Sequence, residues 1–454
     1  MRIAITTLGC KINQYDSAVI HERLAAERHS FVPFEQEADF YIINTCTVTD
    51  RADWEARQLI RRAKRRNPQS KMLLTGCYAQ VSPEEVGKLP DVDFVVGLNR
   101  IEDLVRFVRE AGEEGRKIAV GDVRDERQVR VLGARGLPGR TRAFLKVQEG
   151  CNFACTFCII PTARGRSRSV PPAEVLRQVA ALAAEGIREI VLTGIHLGSY
   201  GHELRPRIDL TGLLEEVCAA GLVPRLRLSS LDPREVPDRL LELIAGSKVV
   251  CDHLHVCLQA GEDQILKAMR RNYDTAYYRD LLDRAREMLP DAALGSDLIV
   301  GFPGETDEQF SKSLELLGAL PLTYCHVFPY SIRRGTPAAG MPQQVAPQVK
   351  KERARLAREL IATKKREFYR GFIGRRVRVL VERGSTLRPT SGQLYKGYSR
   401  NYLPVSFDGD ETDVNREVDV LIDTLQTDGL RAHKANGGAF TDRAVSMTAA
   451  SLGG

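Results

Sequence analysis

Residues 149–161 read EGCNFACTFCIIP and set three thiols, Cys151, Cys155 and Cys158, in a C-x3-C-x2-C pattern. Structural zinc usually takes four protein ligands, often as paired C-x2-C. No fourth cysteine or histidine lies close by, the next histidine being His196. Thiolates are the usual ligands of iron-sulfur clusters, and a cubane has four irons, so three thiolates leave one iron open to a chelating molecule. The motif directly follows AFLKVQEG, a short apolar run with strand character. Thiols just past a strand that opens an alternating strand-helix series stand at the carboxyl mouth of a barrel, where sites of that architecture form.

Working outward, AFLKVQEG is the first of six strand-like runs. It is followed by EIVLTGI, RLRLSS, HLHVCLQ, ALGSDLIVGF and TYCHVFPYS, with helical patterns between them. Six such units across residues 141–371 predict a partial (β/α)6 barrel rather than a complete eight-unit one. Upstream, RIAITTLG, DFYIINT, KMLLTG and DFVVG alternate with helical stretches and predict an open parallel α/β sheet within residues 1–112. Residues 113–140, charged and glycine-rich, read as a linker. A long charged helix from about Pro347 closes the barrel region. RRVRVLVE, a turn-rich middle and EVDVLIDTL then predict a small all-β barrel over residues 372–435, and residues 436–454 read as a disordered tail.

The N-terminal sheet carries its own thiols. Cys10 in TLGCKINQYDS, Cys46 in IINTCTVTD and Cys77 in LLTGCYAQ each stand one or two residues past a predicted strand and before a helix. Parallel strands put all three on the carboxyl edge, the customary ligand edge of open α/β sheets. Three buried, inert cysteines are the competing reading, since free cysteine is often buried. Cys218, Cys251, Cys257 and Cys325 show no comparable spacing and read as core or surface thiols.

The chain has 66 basic and 59 acidic residues, a formal charge of +7, which permits a polyanionic partner without demanding one. The N-terminus lacks the apolar core of a signal peptide, and no apolar run approaches the roughly 20 residues of a membrane span. A cytoplasmic protein with no membrane partner is expected, and there ten cysteines serve more readily as ligands, catalytic thiols or small core residues than as disulfides. Lys350 to Arg378 holds twelve basic and three acidic residues and is the first candidate for phosphate contact; RRAKRR at 61–66 is the second. A solvated helix face is the alternative for both. Tyr395, Tyr398 and Tyr402 could stack on bases or pack in the small barrel, with packing favoured for at least one.

From about residue 2 to residue 434 these features resemble the radical S-adenosylmethionine (radical SAM) methylthiotransferase family. The resemblance implies an N-terminal domain whose Cys10, Cys46 and Cys77 hold an auxiliary 4Fe-4S cluster. It implies a radical SAM core in which Cys151, Cys155 and Cys158 are catalytic and hold a second 4Fe-4S cluster, and a C-terminal TRAM barrel. SAM is then both methyl donor and radical source. Phe157 falls where the superfamily keeps an aromatic residue beside the adenine. Gly194 in LTGIHLG follows the second strand, where a glycine motif admits the methionine end of SAM; an ordinary βα turn would also want it. Gln259 and Asp297, near strand ends, either contact SAM or substrate or are satisfied polar rim residues.

TLGCKINQYDS, GCNFACTFCIIPTARGRSRS and MRRNYDT are most similar to the family members that add a methylthio group to carbon-2 of N6-threonylcarbamoyladenosine at position 37 of tRNA. Relatives acting on isopentenyladenosine more often have GCQMN, and those modifying an aspartate of ribosomal protein S12 have GCPKN, where this chain has GCKIN. The implied partners are tRNA, an electron donor such as flavodoxin or ferredoxin, and a sulfur source. The chain departs from the family's LQSGSD with LQAGED, so no hydroxyl is available at Ala260.

Overall fold

Six parallel strands lie side by side in the first 119 residues, in the order Ser30–Phe31, Arg2–Thr7, Phe40–Thr45, Lys71–Gly76, Phe94–Val96 and Lys117–Ala119. The computed structural model describes residues 1–47, 50–112, 115–129, 140–384 and 393–435. Phe40–Thr45 is buried along its whole length, which is why FYIINT is nearly continuous in apolar character. Its side chains alternate between two cores. Phe40 and Ile42 pack with Leu24, Leu104 and Phe107 on one face, and Tyr41 and Ile43 with Ile60, Ala63 and Tyr78 on the other. The edge strand Lys117–Ala119 lies inside the stretch that reads as a linker. Three residues, one of them a lysine, carry no periodic signal, and short charged strands are common at sheet edges.

The second region has six parallel strands taken in chain order. Arg142–Glu149, Glu189–Gly194 and Arg225–Leu228 form one sheet, with Arg168–Ser169 added antiparallel at its edge. His253–His255, Ala293–Val300 and Tyr324–Pro329 form another, and the parallel bridges Leu226 to Val250 and Leu231 to Val256 join the two. The result is an open, partial barrel. Its core includes Leu145, Ile190, Leu226 and Leu294, and the outer helices turn Val179, Leu213 and Leu281 onto it. Tyr15 and Val19, from the helix Lys11–Ala26 of the N-terminal sheet, belong to this same core.

The helix Pro347–Arg370 leads into a closed five-stranded barrel of Arg376–Val381, Leu394–Ser399, Pro404–Asp408, Gly429–Lys434 and Glu417–Gln426. Val379, Tyr395, Phe407 and Val420 fill it. Its seat on the larger barrel is built from buried arginines: Arg225 donates to the carbonyls of Tyr398 and Ser399, Arg227 to that of Arg400, and Arg142 pairs with Glu382. No helix among the described residues is long and apolar enough to cross a membrane. The tail at 436–454 and the stretch 130–139 lie outside the described residues.

Candidate active site

Cys10, Cys46 and Cys77 leave three adjacent strands of the first sheet, whose register pairs Thr7 with Asn44 and Thr45 with Gly76. Tight turns deliver two of them. Gly9 and Gly76 have φ of +99° and +95°; a Cβ on Gly9 would lie 2.9 Å from Cys46 Sγ, and one on Gly76 would lie 2.3 Å from the Thr45 carbonyl oxygen. Only glycine accepts both the conformation and the closeness. Asn13 lies between two of the three, with Oδ1 4.0 Å from Cys10 Sγ and 3.9 Å from Cys77 Sγ. Its Nδ2 donates to the carbonyls of Leu8 and Thr45 and so ties the first two turns together. Burial pushes the Cys77 thiol up to about 12, while the buried Arg164 guanidinium favours its thiolate.

Arg164 also anchors this sheet to the barrel. It donates to Asp16 Oδ2 at 2.8 Å, Glu149 Oε1 at 3.1 Å and Asn13 Oδ1 at 2.6 Å. Lys146 bonds the other oxygens of the same carboxylates, Asp16 Oδ1 at 2.9 Å and Glu149 Oε2 at 2.5 Å. Two cations and two carboxylates thus close a buried circuit under the first triad.

The second triad lies on the loop after Arg142–Glu149. Thr156 pins the loop: its N–H donates to the Met269 carbonyl, its hydroxyl to that of Ala268, and its carbonyl accepts from the Ala338 N–H. Each sulfur faces a donor. Cys151 accepts from the Phe153 N–H at 3.4 Å and bonds His196; Cys155 accepts from Arg271 Nη1 at 3.1 Å; Cys158 bonds the Ile160 N–H. Arg271 is held in turn by Asp232 and by the Tyr273 hydroxyl. His196 Nε2 lies 2.8 Å from Glu235 Oε1. Burial would lower the imidazole's pKa, yet its bonds to Cys151 and Glu235 raise it to about 10. Burial pushes Cys158 up to about 12, with the Ile160 N–H opposing. Three sulfurs each aimed at a donor, two of them beside a cation, suit thiolate ligands of an iron-sulfur cluster better than inert thiols.

One cavity of about 1280 Å³ is lined by Cys10 and Cys46 from the sheet and by Cys151, Cys155 and Cys158 from the barrel mouth, while Cys77 is buried behind the first two. Phe157, Gly194, Gln259 and Asp297 line it as well. Gly194 has no room for a side chain, because a Cβ would come within 2.8 Å of Gln148 Oε1 and 3.0 Å of Gln148 Cβ. Gln259 takes φ +67° and exchanges backbone hydrogen bonds with Asp297 and Ile299. Asp297 turns its carboxylate to His255 Nε2 at 3.2 Å and to Cys257 Sγ at 3.3 Å, so Cys257 belongs to the cavity and not to the core. Tyr398 and Tyr402 of the small barrel close a further wall, their rings 5.1 Å apart and backed by Arg142 and Arg227. Tyr395 is packed in the barrel core.

His196, Arg271, Asn13 and Arg164 escape a reading of the sequence, because each acts through a partner distant along the chain. The alternation in HLHVC was the one available signal, since it puts His253, His255 and Cys257 on one face of a strand. The basic stretch is less free than its composition implies. Arg353 pairs with buried Glu305, Arg355 with Glu352 and Glu359, Arg375 with Asp291 and Arg378 with Asp419. Lys351, Arg366 and Arg370 are exposed on the helix, as are Arg61, Arg62 and Arg65 on the helix Asp50–Arg66.

A partial βα barrel with three donor-bonded thiols at its mouth, sharing a cavity with a second triad, defines the class as a radical SAM enzyme equipped for two clusters. Residues 145–317 match the Radical SAM superfamily, and residues 2–97 match the family described as Uncharacterized protein family UPF0004. The chain is 40% identical to the threonylcarbamoyladenosine tRNA methylthiotransferase MtaB of Bacillus subtilis, across 92% of this chain and 93% of that one. It is 33% identical to the tRNA-2-methylthio-N(6)-dimethylallyladenosine synthase of Desulfitobacterium hafniense, across 93% and 94%. Among solved structures, the radical SAM methyltransferase TsrM of Kitasatospora setae, with cobalamin and a 4Fe-4S cluster bound, shares the fold at a TM-score of 0.56 and 16% identity, over 74% of this chain and 77% of that one. The chain belongs to the tRNA methylthiotransferase family of radical SAM enzymes.

Proposed function

We propose that this enzyme transfers a methylthio group to carbon-2 of N6-threonylcarbamoyladenosine at position 37 of tRNA. The observation that carries the reaction is the shared cavity: Cys10 and Cys46 of the first triad and all three cysteines of the second line one space, so a group held at one triad can reach a substrate activated at the other. The substrate follows the higher identity to the relative named for threonylcarbamoyladenosine than to the one named for dimethylallyladenosine.

In this reading Cys10, Cys46 and Cys77 hold the auxiliary 4Fe-4S cluster, and Cys151, Cys155 and Cys158 hold the cluster that binds SAM. When bound, the two clusters and SAM supply the reducing electron, the radical that takes hydrogen from carbon-2, and the sulfur and methyl that replace it. The chain's own residues do the rest. Arg271 sets positive charge beside Cys155 and opposes the burial that raises that thiol, and His196 bonds Cys151. The absence of a side chain at Gly194 lets a ligand approach the backbone, and Phe157, Gln259 and Asp297 line the same cavity and would contact it. Tyr398 and Tyr402 cap the space with aromatic surface, which keeps water and stray hydrogen donors from a reactive carbon radical.

The work divides along the chain into a methylthiotransferase domain (1–112, completed by the edge strand Lys117–Ala119), a connector over the rest of 113–140, the radical SAM core (141–371) and the TRAM barrel (372–435). The exposed lysines and arginines of the helices Pro347–Arg370 and Asp50–Arg66 contact tRNA phosphates. A reductant of the flavodoxin or ferredoxin kind and an external sulfur source complete the reaction in the cytoplasm.

The test is mass spectrometry of nucleosides from tRNA of a strain lacking the gene, with and without the gene restored. Loss and recovery of 2-methylthio-N6-threonylcarbamoyladenosine is the expected result. Loss of the methylthio derivative of isopentenyladenosine instead would move the substrate to that nucleoside. No change in either would turn attention to the aspartate of ribosomal protein S12.

A further inference from the structure

Of the charged side chains that line the cavity, Lys365 and Asp428 are exposed at its rim, and those set deeper are nearly all committed. Arg227 donates to Glu189 at 2.9 Å and to the carbonyls of Ser399 and Arg400; Arg271 serves Asp232 and Cys155; Arg358 bonds the Val327 carbonyl; Asp297 is held by His255 and Cys257. Lys11 is different. It follows Cys10 directly, it is half-buried in the cavity wall, and among the described residues its ammonium has no hydrogen-bond or ion-pair partner. Asp297, which lines the same cavity, already has two partners in His255 and Cys257. A half-buried ammonium on the cavity wall without a partner among the described side chains is placed to meet an anionic group of a molecule bound there.

We propose that Lys11 binds the free carboxylate of the N6-threonylcarbamoyl group and so selects the threonylcarbamoyl nucleoside over nucleosides with uncharged N6 substituents. This rests on the functional reading given above. In adenine, carbon-6 is separated from carbon-2 only by N1, so the N6 substituent and the carbon to be modified lie on the same edge of the ring. A cation one residue from Cys10 stands where that substituent falls when carbon-2 faces the first triad. The other triad has its own cation, Arg271, so SAM held there would not call on Lys11. A site built to bond a polar group rejects an analogue without it more strongly than an apolar pocket rejects extra bulk, because its own charge is left unpaired.

The experiment uses the cluster-loaded enzyme and two synthetic anticodon stem-loops, one with N6-threonylcarbamoyladenosine and one with its threonyl methyl ester, similar in size but without the charge. Binding is read by fluorescence anisotropy and methylthio product by mass spectrometry, for wild type, Lys11→Met and Lys11→Arg. Wild type is expected to favour the acid about 10- to 100-fold, the range of a hydrogen bond to a charged group. Lys11→Met loses that preference by weakening on the acid alone, and Lys11→Arg keeps most of it. Iron content and the 5′-deoxyadenosine formed from SAM should match across the three proteins. Equal treatment of acid and ester by wild type overturns the proposal without any substitution. So does a Lys11→Met defect that is the same for both loops or appears as a raised KM for SAM. If wild type modifies neither loop but does modify one carrying isopentenyladenosine, the functional reading fails and the role of Lys11 falls with it.

Discussion

Replacing Arg164 with methionine keeps most of the side chain's apolar volume and removes one of two cations from the circuit under the first triad. Asp16 and Glu149 are then shared by Lys146 alone, which leaves one carboxylate charge uncompensated at a site where Arg164 is 2% exposed and Lys146 9%. Breaking a buried pair by removing one partner costs about 3–5 kcal/mol. Asp16 keeps some contact with water, so the lower end applies, about 3 kcal/mol. For a cooperative unit the size of the barrel region, roughly 230 residues, the unfolding entropy near the transition is ~0.5 kcal/mol per kelvin, which makes the loss about 6 °C.

The assay is thermal unfolding followed by circular dichroism, together with iron retained by the reconstituted protein under a chelator. Iron should fall as well, because Asn13 loses its 2.6 Å bond from Arg164 while lying beside Cys10 and Cys77. The decisive comparison is the double variant Arg164→Met with Glu149→Gln, which returns the circuit to one cation and one anion, Lys146 and Asp16. It should be more stable than the sum of the two single losses requires. Strict additivity, or a loss under about 2 °C for Arg164→Met alone, would refute the charge-balance reasoning.

The two triads predict a division of labour: Cys155→Ala abolishes reductive cleavage of SAM, whereas Cys46→Ala retains it and stops sulfur transfer, as 5′-deoxyadenosine and methylthio product measured on the same samples will show. Gly194→Ala drives a methyl into Gln148, which cannot yield because its Oε1 accepts the His196 N–H at 2.7 Å and its Nε2 donates to the Gly150 carbonyl at 2.8 Å. An overpacking cost of about 1–3 kcal/mol should appear as weaker SAM binding by equilibrium dialysis, with little change in tRNA affinity. Acid should destabilise the enzyme between about pH 4.5 and 2. Burial would raise Glu149 and Glu189, but Lys146 and Arg164 hold the first at about 2, and Arg227, Arg225 and Arg142 do the same for the second. Because both carboxylates are depressed, their stabilisation is full above the usual carboxylate range and is lost as they are protonated. Glu189→Gln should therefore unfold at a lower temperature at pH 7 and show a shallower decline toward pH 3.

What the sequence made legible is what local order encodes. Cys151, Cys155 and Cys158 are neighbours along one loop, so their spacing is their geometry. Cys10, Cys46 and Cys77 are far apart in sequence, yet one topological rule, that parallel strands share a carboxyl edge, brings them together. The strands that carry them have strong apolar patterns, whereas Ser30–Phe31 and Lys117–Ala119 are held by register with a neighbour and leave no pattern to read. The donors to the sulfurs were hidden for a further reason. Arg271 reaches Cys155 across 116 residues and Arg164 reaches Asn13 across 151, and nothing in an arginine's immediate sequence says which distant sulfur or amide it will face. Composition misled in the same way at the helix Pro347–Arg370, where a count of positive charges could not reveal that Arg353 faces inward to Glu305. A count gives the charge a segment carries, and only the fold decides how much of it remains for a partner. The same reasoning marks Lys11: its neighbour in sequence says which triad it stands beside, and only the fold shows that it lines the shared cavity.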